Sequence, residues 1–299
     1  MISWLIVIIL AYFFFSLSSL GDKLILSGES KPKAYTFYVG LFGLSVLLFI
    51  PFMEFGFPSK KAIILIVSEA IIYLLAVYAM FSAVKKFEVS RVATTMGATM
   101  PIFVFALTWI FWSGQTMSKT NLLAFVLLLL GSIIISLEKN FIAKNGYLKI
   151  TLLASLLFSV DYILTKAIFL TEPFLLGLFW MRMFAVLFAL VFLLSKNARK
   201  EIFSKQAFLN KKTGALLAFT QTSGGVANIL QAFAISLVPV SLLPILNSLR
   251  GIQYTFLFLI TLFFSFFLPK ILKEEISKKI ILQKTAAIII IVSGLALLI

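Results

Sequence analysis

Polar and apolar positions alternate along this chain on a coarse scale. Runs of about 20 apolar residues, the length that carries an α-helix across a hydrocarbon core, are closed by short polar breaks. Ten such runs can be marked, at residues 2–26, 34–55, 61–82, 89–113, 120–137, 148–170, 174–195, 213–236, 241–268 and 281–299. They are too long and too rich in Leu, Ile and Phe for strands, and they lack the alternation of an outer-membrane barrel. Backbone groups in lipid must be paired within the segment itself, so the pattern predicts an all-α polytopic membrane protein with ten transmembrane helices. The longest breaks, 138–146, 195–212 and 269–279, leave no room for an extramembrane domain. Function is therefore expected inside the helix bundle. The first run lacks a basic leader and a small-residue cleavage pattern, and it reads as a mature first helix.

Composition agrees, with 62% hydrophobic and 12% charged residues, against roughly 45–50% and about 25% in soluble domains. The lipid bilayer is thus the first expected partner. A formal charge of +15 raises nucleic acid as another, but the positive residues are dispersed through short connections with no basic, aromatic-interleaved patch, so no nucleic-acid partner is expected. Every Lys and Arg in the connections except Lys60, Lys61 and Lys119 falls on the odd-numbered ones. Cysteine and histidine are both absent. That removes disulfides, thiolate nucleophiles, imidazole bases and the usual zinc and haem ligands, so no cofactor or metal is expected.

The chain also resembles itself. Ala11, Phe15, Ser16 and Lys23 of the first run recur at one offset as Ala154, Phe158, Ser159 and Lys166 of the sixth. Ala83, Val89 and Ser90 recur as Ala234, Val240 and Ser241, and Ser118 and Lys119 as Ser277 and Lys278. The order is kept, and the offset grows only by loop insertions. These matches predict two five-helix repeats, 1–140 and 141–299. Because five is odd, the second repeat enters the membrane inverted, a common plan of secondary transporters.

The segments Tyr78-Ala79-Met80-Phe81-Ser82-Ala83, Glu88-Val89-Ser90-Arg91-Val92, Met100-Pro101-Ile102-Phe103 and Gly131-Ser132 resemble the EamA-type pattern of the drug/metabolite transporter superfamily. Gln231-Ala232-Phe233-Ala234, Pro239-Val240-Ser241, Lys273-Glu274-Glu275-Ile276-Ser277 and Ser293-Gly294 repeat it more loosely. The resemblance implies a ten-helix carrier of small metabolites working by alternating access. Two positions depart from it. Gln115 stands where an acidic residue is usual, while Glu274 and Glu275 are kept in the second half. The arginine usual early in the second helix of each repeat is present as Arg182 but replaced around Tyr38 and Val39.

Charged residues deep in a span are costly and usually face a cavity. Arg182 lies eight residues into its run and Arg250 nine into its own, roughly 12–14 Å deep at the helical rise. Asn247, Arg250 and Tyr254 share one helix face, as do Gln221, Gly224, Asn228 and Gln231 on the preceding run. These spacings make Arg182, Arg250, Asn228, Asn247 and Tyr254 candidate substrate ligands, with Trp180 as a stacking surface. Two arginines favour a carboxylate or phosphate. Each candidate also has a structural reading: Arg182 as a family landmark, and the amides as interhelical hydrogen bonds. Glu69, one turn before Tyr73, and Asp161, one turn before Thr165, can carry a coupling proton or form a buried pair with Arg182, Arg250 or Lys166. Lys23 and Lys166, near helix ends, are expected to snorkel to the interface.

Together these observations predict a secondary active transporter, monomeric, in the cytoplasmic membrane of a prokaryote. It would move a small polar or anionic metabolite such as an amino-acid-like compound, an organic acid or a phosphorylated compound, with proton coupling and exchange both open. An intramembrane enzyme and a passive channel or scaffold subunit are the alternatives. The enzyme lacks His, Cys, paired acidic motifs and a Gly-flanked serine, and no nucleotide-binding loop supports ATP drive. Positive residues mark the cytoplasmic side, so the charge count predicts that reporters fused to either terminus will read out on the outer face. The EamA resemblance implies the opposite, and a fusion active in the cytoplasm would overturn the charge rule for this chain.

Overall fold

A computed structural model describes residues 3–25, 32–87, 89–114, 116–137, 146–203, 211–267 and 278–299. Among these the chain is helical, with no strand. The elements are α1 (Ser3–Ile25), α2 (Pro32–Leu41, continued as a 3₁₀ segment Phe42–Phe52), α3 (Lys60–Lys86), α4 (Val89–Phe111), α5 (Lys119–Ser136) and α6 (Tyr147–Phe169). They continue with α7 (Phe174–Leu190, extended by 3₁₀ Val191–Leu194), α8 (Lys196–Ile202), α9 (Lys211–Leu237), α10 (Leu243–Ser248, preceded by 3₁₀ Val240–Leu242), α11 (Arg250–Phe267) and α12 (Lys278–Ala296). Each apolar run is thus mainly helical where it is described. By length and composition, eight helical segments can cross a membrane among the described residues. The segment Ile280–Ala296 is apolar but shorter. In α9 the set Thr220, Gln221, Ser223, Asn228 and Gln231 dilutes the apolar character.

Local chemistry sets the helix starts. The Ser59 hydroxyl accepts from the Ala62 amide at 3.3 Å, Ser118 from Asn121 at 3.1 Å and Ser195 from Ala198 at 3.4 Å. Each fills one of the amides that a helix N-terminus leaves unpaired. Gly146 precedes α6 with φ of +84°, a conformation that glycine adopts without a Cβ clash. Helix α4 runs through Pro101.

The surface and the interior are inverted relative to a soluble protein. Leu48, Phe52 and Leu194 are at least three-quarters exposed, whereas Ser16, Thr36, Ser132, Thr151, Ser155 and Ser159 are fully buried. An apolar exterior over hydroxyl-bearing contacts is the pattern of helices that pack in lipid. Lys166 departs from expectation, since it is buried at 3% exposure in the last turn of α6 instead of reaching outward. The side chain of Lys23 lies outside the described residues.

By packing, the chain divides into two compact units, and each draws helices from both halves of the sequence. The first unit comprises Met1–Ser27, Thr108–Phe141 and Asn210–Ile299, and the second comprises Gly28–Leu107 and Ile142–Leu209. These units do not coincide with the sequence repeats 1–140 and 141–299. In the first unit α1 packs on α9 and α11, and α5 packs on α10, α11 and α12. In the second, α3 packs on α6 and α7, and α2 packs on α3 and α7.

Close approach in the first unit depends on glycine. A Cβ at Gly251 of α11 would come 2.5 Å from Ser132 Oγ and 2.9 Å from Ile291 Cδ1, and one at Gly131 of α5 would meet Ile291 at 2.5 Å. Gly251→Leu should therefore force α11 away from α5 and α12, at a cost of about 1–3 kcal/mol. A lowered Tm in detergent is expected, and an unchanged Tm would show that these helices have room to spare.

Candidate functional site

The membrane-depth polar residues gather in two clusters, one in each unit. In the first unit, the helix that begins with α10 is interrupted at Leu249 before α11 resumes at Arg250. Such a break leaves carbonyls needing partners, because lipid supplies none. Hydroxyls from neighbouring helices fill the need. Tyr12 of α1 donates to the Leu246 carbonyl at 3.0 Å, and Ser132 of α5 donates to the Ser248 carbonyl at 2.9 Å. Ser248 itself donates to the Ile245 carbonyl at 2.8 Å.

Arg250 and Asn247 are held at this break. The Tyr12 hydroxyl, itself fully buried, accepts a hydrogen bond from the Arg250 guanidinium. Tyr254, one turn further along α11, lies within electrostatic reach of the same cation. Asn247 is completely buried, yet among the described residues neither Oδ1 nor Nδ2 meets a hydrogen-bonding partner. A buried amide in that state forfeits both a donor and an acceptor, which is rare in folded proteins and calls for a ligand or water. Asn228 of α9 is engaged within its own helix, its Nδ2 donating to the Gly224 carbonyl at 2.8 Å.

The second unit holds the acids. Glu69 of α3 is buried at 1% exposure, and its carboxyl is hydrogen-bonded to that of Asp161 on α6. Both carboxyls act electrostatically on Arg182 of α7. The Arg182 guanidinium sits over the Tyr73 ring, 4.9 Å from its centroid, and donates to the Tyr73 hydroxyl. Of the cations weighed for these acids, Arg182 is the one brought to them. Asp161 meets Glu69 across the helix interface, so its pairing is between helices and not along α6.

Trp180 is half-buried and already occupied. Its indole N–H donates to the Gly56 carbonyl at 3.0 Å, and its ring packs against Phe55, Phe57, Phe179 and Phe184. The nearby turn is tied down as well, because Glu172 accepts from both the amide and the hydroxyl of Ser59, at 3.0 and 2.9 Å. Gln115, Glu274 and Glu275 lie outside the described residues, as does the side chain of Arg91. Tyr12 was missed by the sequence reading. Its only signal is a lone tyrosine beside the phenylalanines of the first run.

Residues 2–137 match the model of the EamA-like transporter family. No curated protein matches the sequence. Among solved structures 27 chains match. One crystal structure superposes with a TM-score of 0.69 over 99% of this chain and 96% of its own, at 15% identity, which establishes likeness of fold.

The Tyr12 hydroxyl serves both the Leu246 carbonyl and Arg250, so Tyr12→Phe should destabilise the protein by about 1–3 kcal/mol, the cost of unmade buried hydrogen bonds. Thermal unfolding followed by circular dichroism measures this. A loss no larger than that of a surface substitution would mean that water replaces the hydroxyl.

Proposed function

Because residues 2–137 match the model of the EamA-like transporter family, we propose that the chain acts as a secondary carrier of a small polar or anionic metabolite. It works by alternating access in a prokaryotic cytoplasmic membrane, as a monomer of ten transmembrane helices in two inverted repeats, 1–140 and 141–299. The substrate class is an amino-acid-like compound, an organic acid or a phosphorylated compound. The observation that carries this reading is the break at Leu249, which places a buried, unpartnered Asn247 three residues from Arg250. Interrupted helices lined with polar groups are where transporters of this plan bind substrate.

Two further features support it. The pairing of α1 with α9 and of α3 with α6 is what a duplicated five-helix unit produces when its first helix packs on the third spanning segment of the other copy. The match of residues 2–137 to a transporter family model also suits a carrier better than an enzyme.

In this reading Arg250 binds the anionic group, Asn247 supplies a donor and an acceptor beside it, and Tyr254 and Asn228 complete the polar face. Arg182 and Trp180 stand in the second unit, where Arg182 balances Glu69 and Asp161. A charge-assisted hydrogen bond is worth about 1.5–3 kcal/mol, roughly tenfold or more in affinity. A thermal-shift screen of carboxylates and organic phosphates on the purified protein should find compounds that raise Tm, since a ligand stabilises the state that binds it. Arg250→Ala should abolish that shift and slow uptake of the same compound into proteoliposomes at least about tenfold. An Arg250→Ala carrier that moves the compound as fast as the parent would sink the assignment.

A further inference from the structure

The second cluster contains more acid than its cation can balance. Glu69 and Asp161 are two carboxyls facing one guanidinium, that of Arg182. An ionised carboxylate only accepts hydrogen bonds, so a hydrogen bond between two carboxyls requires one proton between them. With that proton the pair carries one negative charge and Arg182 cancels it. Without the proton, one uncompensated charge remains at a site where Glu69 is 1% exposed, which burial strongly disfavours.

A second observation points the same way. Glu69 Oε2 and Asp161 Oδ1 are buried with no hydrogen-bonding partner among the described residues. Structural carboxylates normally fill such lone pairs. Here one oxygen of each acid is left available to an arriving proton.

The other titratable groups on the helices packed here are placed differently. On α3 the Tyr73 hydroxyl is taken by Arg182, and α7 contributes Arg182 itself. On α2 the Tyr38 hydroxyl donates away from the pair, to the Ile202 carbonyl at 2.8 Å. On α6 the next cation, Lys166, is five residues beyond Asp161 and so on another side of the helix.

We propose that Glu69 and Asp161 bind one exchangeable proton jointly, with Arg182 as the fixed counter-charge, and that this proton is the one the carrier couples to transport. The proposal rests on the transport reading and deepens it by assigning proton binding to the pair and not to either acid alone. Occupancy acts on packing. The proton bonds α3 to α6, and its loss leaves two carboxylates that repel each other and are both drawn to α7. Proton binding and release thus change which helices of this unit are held together.

The test needs no known substrate. Infrared difference spectra between neutral and alkaline buffer, above the range in which exposed carboxyls titrate, on protein in phosphatidylethanolamine–phosphatidylglycerol vesicles, should show a protonated-carboxyl band of one proton per chain. Both Glu69→Gln and Asp161→Asn should remove it, because the surviving carboxylate pairs with Arg182. A band surviving in either variant overturns joint binding, and suppression of the parental band by sodium at fixed pH makes the site a metal-cation site instead. Should the variants fail to fold, the unaltered protein still decides. A carbodiimide, which modifies protonated buried carboxyls, should add once per chain, at Glu69 or Asp161, by mass spectrometry, and an adduct on neither overturns the proposal. Failure of the transport reading would show separately, as absent uptake with the band intact. Uptake that no imposed pH gradient can drive or alter would overturn the coupling while leaving the carrier.

Discussion

Everything in this structure answers to one constraint: inside hydrocarbon, each backbone group and each charge must find its partner within the protein. A continuous helix meets the backbone half of that demand by itself. Where the helix is not continuous, other helices must supply the partners. The break at Leu249 is sustained in this way, by Tyr12 from α1 and Ser132 from α5. The hydroxyls buried in an otherwise apolar interior are thus the condition for having an irregular segment at that depth, and the irregular segment is what presents Asn247 and Arg250.

The two deep arginines meet the charge half of the demand differently. Arg182 is balanced by Glu69 and Asp161 and steadied on the Tyr73 ring. Arg250 is held by the neutral hydroxyl of Tyr12, beside Tyr254. A neutral hydroxyl orients a guanidinium without cancelling its charge. In the proposed reading Arg182 is the fixed counter-charge of the acid pair, and Arg250 meets the anionic group of the substrate.

The apolar runs made the helices legible, because run length and the exclusion of strands are properties of the sequence alone. The run boundaries match the helix ends to within a few residues, from Ser3–Ile25 to Lys278–Ala296. The i, i+4 spacing of Glu69 and Tyr73 also foretold a shared polar face. Periodicity along one helix cannot say which other helix it meets, however. The Glu69–Asp161 contact, the service of Tyr12 to Leu246 and the burial of Lys166 all depend on tertiary pairing. Trp180 shows the same limit, since its indole N–H goes to a loop carbonyl at Gly56 that no pattern in α7 announces. The compact units could not be read either, because packing draws helices from both halves of the sequence.

Drawing each unit from both halves of the sequence carries a physical consequence. The α1–α9 and α3–α6 interfaces join corresponding segments of the two halves, yet they now differ in chemistry. Along α1 and α9, Gly21 faces Thr220 and Gly224 faces Ser18, small uncharged groups in close approach. Along α3 and α6, the contact carries Glu69 and Asp161. An assembly of two identical copies would have to place the same side chains at both interfaces. A duplicated and fused chain is free to keep one interface inert and make the other ionisable. In the proposed reading proton occupancy acts on one unit only, an electrostatic asymmetry that an identical pair could not hold.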